Sequence, residues 1–108
     1  MLNKKSIYSL LGLAMKAGKI ASGEFCVEKS VKSGHSHFVI LAEDASDNTK
    51  KMFGNMCSYY QVPLHYFGTK DELGCCIGKQ FRASLSIEDE GFAKSIIKKL
   101  GIDGNMEV

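Results

Sequence analysis

The sequence predicts an α/β fold, a three-layer α/β/α sandwich around a small mixed sheet, in a single domain. Three observations point there. Stretches with apolar residues at helical spacing alternate with short apolar runs of strand length along the chain. The connections between them are short, as consecutive packed elements require. The 108 residues, 44% hydrophobic and 24% charged, suit one globular unit with its own core. No linker, internal repeat or low-complexity tract divides the chain, so 1–108 reads as one domain with 101–108 as a flexible tail.

The elements follow in order. Ile7, Leu10, Leu11 and Ala14 recur at helical spacing, and Gly18 is placed to stop that helix. Lys4 and Lys5 before this stretch imitate the start of a secretory signal. Lys16 interrupts it and no small-residue cleavage site follows, so a surface helix is expected instead. Lys19-Ile20-Ala21 is a candidate short strand. Ser22 is the expected N-cap of a second helix running from about Gly23 to Ser33 and ended by Gly34. Phe38 to Ala42 is a continuous apolar run, the pattern of a strand covered on both faces.

Ser46 or Asp47 caps a third helix, whose apolar stripe is Met52, Phe53, Met56, Cys57 and Tyr60, with Lys50, Lys51 and Asn55 opposite. Pro63 sits where a strand over Leu64 to Phe67 begins. Thr69 and Glu72 have the spacing of a capping box and start a short fourth helix that ends near Gly78. Ala83, Leu85 and Ile87 alternate with Ser84 and Ser86, which predicts a strand with one polar face. Asp89 caps a last helix through Phe92, Ala93, Ile96, Ile97 and Leu100.

Charge and cysteine content narrow the function. The formal net charge is only +2, but six lysines against two acids fall in Met1–Gly34, while Ala83–Val108 holds three lysines and five acids. Such asymmetry permits an anionic partner on one side of the molecule without demanding it. Cys26, Cys57, Cys75 and Cys76 lack metal-ligand spacing and read as free thiols of a reducing cytoplasm. No apolar run approaches the ~18 residues of a membrane helix.

Enzymatic chemistry finds little support. Glu43 and Asp44 are adjacent at a strand end, so their side chains point to opposite faces, and Asp44 reads as the start of a turn. His35 and His37 lack companions for a metal site. No phosphate loop, dinucleotide fingerprint or serine elbow occurs.

Nucleic-acid binding fits better. Lys29 and Lys32 share a helix face with Phe25, presenting two cations and a ring at a helix start that attracts phosphate. The same spacing allows Phe25 in the core, with Glu28 paired to Lys32 on an exposed face. A second segment, Gly78-Lys79-Gln80-Phe81-Arg82-Ala83-Ser84, holds the only arginine among fourteen basic residues. Its planar fork suits a phosphate or a guanine edge, and Phe81 offers a stacking face; alternatively Phe81 plugs the core and Arg82 is a solvated edge charge.

From about Ile7 to Leu100 the chain resembles the seven-Ae/thirty-e ribosomal-protein family of kink-turn RNA binders, and within it the bacterial YlxQ-type branch. The matching features are the Gly23…Lys29…Gly34 spacing, the strand ending in Glu43-Asp44-Ala45-Ser46, Val62-Pro63, Leu73-Gly74…Gly78 and Asp89-x-Gly91-Phe92-Ala93. The resemblance implies an α/β/α sandwich in which the second helix start and the loop before the last strand flank an RNA internal loop. Members that bind kink-turns tightly read Gly-x-Asn-Glu-x-x-Lys at that helix start. Here Gly23 and Lys29 are kept, while Phe25 and Cys26 stand at the Asn and Glu positions and cannot accept a guanine N–H as a carboxylate does.

The expected function is therefore RNA binding without catalysis, cofactor or metal. The candidate set is Gly23, Glu24, Phe25, Cys26, Lys29, Lys32, Asp44, Lys79, Phe81, Arg82 and Ala83. The expected partners are a structured RNA, kink-turn-like or ribosomal, and ribosomal or ribonucleoprotein proteins, with neither membrane nor DNA. The alternative is a protein-interaction module of a ribonucleoprotein or stress-response assembly, which the resemblance also implies.

Overall fold

Five helices and four strands alternate along residues 4–101, the part of the chain that the computed structural model describes. They are α1 (Lys4–Lys16), β1 (Ile20–Ser22), α2 (Glu24–Lys32), β2 (Phe38–Leu41), α3 (Asp47–Tyr60), β3 (Leu64–Tyr66), α4 (Lys70–Cys76), β4 (Ser84–Ile87) and α5 (Glu90–Lys99). Apart from Gly101, the tail expected over 101–108 lies outside the described residues.

The strands form one mixed sheet in the order β1-β4-β2-β3. β4 is antiparallel to both β1 and β2, and β3 is parallel to β2. A parallel neighbour needs a crossover, which α3 supplies. Successive strand residues point to opposite faces, so β2 feeds both sides of the sheet. Phe38 and Ile40 join α1, α4 and α5 in a cluster with Ile7, Leu11, Leu73, Leu85, Ile87 and Ile96. Val39 and Leu41 face α2 and α3, packing with Val27, Val31, Phe53 and Cys57. All four residues of β2 are buried, which accounts for its unbroken apolar run.

Three helix starts are closed by the side chains the sequence nominates. Ser46 Oγ accepts the Thr49 N–H at 3.1 Å, Asp89 Oδ2 accepts the Phe92 N–H at 2.9 Å, and Thr69 and Glu72 complete a capping box. Each such bond satisfies a donor that the first helical turn leaves free.

Two expectations need correcting. Ser22 does not cap α2: it is the last residue of β1, and Gly23 takes the cap position at φ 91°, with no side chain closing the helix. Pairing with β4 holds Ser22 in the sheet, so its hydroxyl points elsewhere. β4 has the polar face its alternation predicts, and Ser84 and Ser86 on it are buried, because α2 covers them. Tyr60 leaves the apolar stripe of α3; it is exposed and packs edge-on against Tyr59 at 4.9 Å between ring centres.

Candidate nucleic-acid interface

Two segments far apart in sequence meet where β1 ends and β4 begins. Ser22 lies opposite Leu85, and the Gly23 N–H donates to the Ser84 carbonyl at 3.1 Å. Gly23 holds φ 91°, a conformation that side chains with a Cβ rarely adopt, and this lets the chain turn from the strand directly into α2. Two residues before β4, the Arg82 Nε–H donates to Ser22 Oγ at 3.2 Å and an Nη1–H to the Phe81 carbonyl at 2.7 Å. The guanidinium has five donors, so most of the fork remains for a ligand.

The Arg82 loop is held against α4. Gly78, at φ 76°, reverses the chain; the Lys79 N–H then donates to the Gly74 carbonyl at 2.8 Å and the Arg82 N–H to the Lys70 carbonyl at 3.1 Å. A Cβ on Gly74 would overlap the Gln80 carbonyl, so only glycine lets the loop lie this close. Asp44 Oδ1 accepts the Lys70 N–H at 2.9 Å, which ties the turn after β2 to the start of α4.

The exposed chemistry lies on the two segments that the Arg82–Ser22 bond joins. Phe25 is 76% exposed and Phe81 63%, so neither ring belongs to the core. Val27, Ser30 and Val31 form the buried stripe of α2, which leaves Phe25 and Lys29 on its outer surface. With no side chain capping α2, the N–H groups of Glu24, Phe25 and Cys26 leave the helix end unspent on a cap. Lys79 is exposed beside Phe81.

Residues 5–97 match the family model described as the Ribosomal protein L7Ae/L30e/S12e/Gadd45 family. The chain belongs to that family. It is 41% identical over 93 residues to a Bacillus subtilis relative called RNA-binding protein YlxQ, covering 86% of this chain and 93% of that one. It is 38% identical over 95 residues to the large ribosomal subunit protein eL30 of Candida albicans, covering 82% of this chain and 86% of that protein. Among solved structures, a Bacillus halodurans protein of unknown function superposes with a TM-score of 0.84 at 37% identity, covering 88% of this chain and 96% of the other.

Within this family fold, several sequence-nominated residues stand apart from the surface around Arg82. Lys32, in the last turn of α2, is bound to Glu28 at 2.7 Å and lines a groove with Met52 and Tyr59 between α2 and α3. Glu28 also raises the pKa of its ammonium, chiefly through that hydrogen bond. Gly23 offers no free donor, since its N–H is spent on Ser84. Ala83 acts through its backbone, accepting the Ala42 N–H at 2.8 Å, and packs beside the α2–α3 cluster. Asp44 is engaged with Lys70, and Glu24 places a carboxylate at the first position of α2, where it favours the helix dipole.

Three residues that position this surface stand outside the candidate set: Ser22, Lys70 and Gly74. Only Gly74 carried a usable signal. A glycine within a short helix costs stability unless another backbone must approach there. Ser22 and Lys70 act through partners sixty and twelve positions away, Arg82 in both cases, which no local pattern reveals.

Proposed function

We propose that this chain is a non-enzymatic, cytoplasmic RNA-binding protein that holds a structured RNA across the end where α2 starts and the Arg82 loop returns. The Arg82–Ser22 hydrogen bond carries this reading, because it makes one surface of the two nominated segments. The Bacillus subtilis relative's description as an RNA-binding protein supports it, and the eL30 relative makes ribosomal RNA the first candidate ligand. No described helix is long and apolar enough to cross a membrane.

Each group has a distinct task. The first-turn N–H groups of α2 and the ammonium groups of Lys29 and Lys79 neutralise phosphates, giving affinity that falls steeply with salt. The remaining Arg82 donors form a forked pair with a phosphate or a guanine edge. Phe25 and Phe81 stack on unpaired bases, at ~1–3 kcal/mol per base. The preferred RNA is therefore a duplex interrupted by an internal loop, kink-turn-like in offering splayed bases beside a backbone bend. Phe25 and Cys26 supply no carboxylate or amide to a sheared G·A pair, so stacking and backbone contact carry the recognition.

Filter binding at two salt concentrations tests this, using ribosomal RNA fragments with internal loops, a kink-turn RNA, and the same RNAs closed to plain duplex. Salt-sensitive binding that prefers the open loops is expected. Lys29→Ala with Arg82→Ala should lower affinity by roughly 10- to 100-fold. Absence of salt-sensitive binding would overturn the function; binding indifferent to both substitutions would overturn the interface.

A further inference from the structure

A groove of about 870 Å³ lies between α1 and α4, outside the surface just described. Three exposed lysines line it, Lys4, Lys5 and Lys16, and α1 contains no acid from one end to the other. Among the described residues, none of the three is in an ion pair. Among the described residues the one carboxylate lining the groove, Glu72, is already engaged: it accepts hydrogen bonds from the Tyr8 O–H at 2.7 Å and the Thr69 N–H at 3.1 Å. Lys4 lies close enough to be felt by Glu72, so Lys5 and Lys16 carry most of the uncompensated charge. Leu13, also in the groove, is 57% exposed and gives an aliphatic surface between the cations.

Lys16 suits its place in the last turn of α1, where the helix dipole favours a cation; the other two do not suit theirs. Lys4 and Lys5 stand in the first turn of α1, where the helix dipole disfavours cations and α1 itself supplies no acid to offset them. A local rule broken without structural gain marks a position set by something outside the fold.

α4 connects this groove to the proposed interface. Glu72 and Cys76 line the groove, whereas the Lys70 carbonyl and Gly74 hold the Arg82 loop. An RNA arm leaving the Arg82 surface has only this short helix to cross. From Lys5 to Lys16 the helix axis covers roughly 16 Å, a length over which a duplex presents on the order of ten phosphate charges. Cations spaced along a helix without an acid among them match that continuous line of charge and read no sequence.

We infer that the α1–α4 groove is a second track for the RNA backbone, holding a duplex arm that extends from the internal loop. This rests on the RNA-binding reading above. Its test uses two RNAs sharing one internal loop: the first has arms longer than a helical turn, the second has arms trimmed to a few pairs. Lys4→Gln, Lys5→Gln and Lys16→Gln together should weaken binding of the long-armed RNA by about tenfold and reduce its salt slope by roughly 2. Binding of the short-armed RNA should not change. If the unaltered protein binds both RNAs and the triple variant keeps the same affinity and slope on the long one, the groove is not a track and the function stands. Equal losses on both RNAs would also overturn the track, placing these lysines in the loop-binding surface. If the unaltered protein binds neither RNA, function and track fall together.

Discussion

Both faces of the sheet carry an apolar cluster, but β4 gives its two faces different chemistry within four residues. Leu85 and Ile87 enter the apolar cluster beneath α1, α4 and α5. Ser84 and Ser86 point the other way, into the layer of α2 and α3, and are just as buried. Apolar burial is non-directional and roughly proportional to area, so it holds layers together without fixing a helix's rotation or height. Hydrogen bonds have direction. Ser86 Oγ donates to Ser36 Oγ at 2.7 Å, so with that proton spent the Ser30 hydroxyl donates to Ser86, also at 2.7 Å. This relay runs from the middle of α2 through β4 to the turn before β2. The leucine–isoleucine face of β4 adds to the apolar core; its serine face sets where α2, with Phe25 and Lys29 on its outer surface, stands against the Arg82 loop.

Substitutions along β4 separate the two roles. Leu85→Ala should have the largest effect, costing about 2–5 kcal/mol in urea unfolding through lost transfer energy and the cavity left behind. RNA affinity per folded molecule should survive it. A cost below ~1 kcal/mol would show that the apolar face is not what holds the fold. Ser86→Ala should cost less, about 1–3 kcal/mol, by leaving the buried Ser30 hydroxyl without its acceptor. Unlike Leu85→Ala, it should also weaken RNA binding at equal folded fraction, because α2 loses its fixed height. Unchanged affinity with Ser86→Ala would remove the positioning role and leave the relay purely structural.

The same contrast explains what was legible in the sequence. Caps at Ser46, Thr69 and Asp89 act within three residues, so local spacing revealed them. The serine alternation in β4 gave the period and the polar face but not its burial. Period is a property of the strand, whereas coverage depends on α2, more than fifty positions away. Ser22 has the chemistry of a cap, but pairing with β4 keeps it in the sheet and Gly23 makes the turn. The exposure of Phe25 was within reach: Val27 and Val31, four apart, define an inward stripe that excludes it. Lys32 similarly had Glu28 one turn earlier, the usual partner spacing on a helix. The joining of Ser22 to Arg82 was not readable, since only the completed sheet brings them together.

Ser84→Ala should have the smallest effect and gives the sharpest test of the serine face. Its hydroxyl is buried and, among the described residues, has no hydrogen-bond partner. A buried unsatisfied hydroxyl bears its desolvation cost without recompense, so replacing it with a methyl group should be neutral or stabilising by up to ~1 kcal/mol. The contact that matters at this position is the backbone bond from the Gly23 N–H to the Ser84 carbonyl, which alanine keeps. RNA affinity should therefore be unaltered while the urea midpoint holds or rises. A fall of more than ~1 kcal/mol would mean that the hydroxyl is satisfied by a buried water. In that case Ser84 belongs to the relay with Ser86 and Ser30, and the positioning network extends to the residue directly beneath the start of α2.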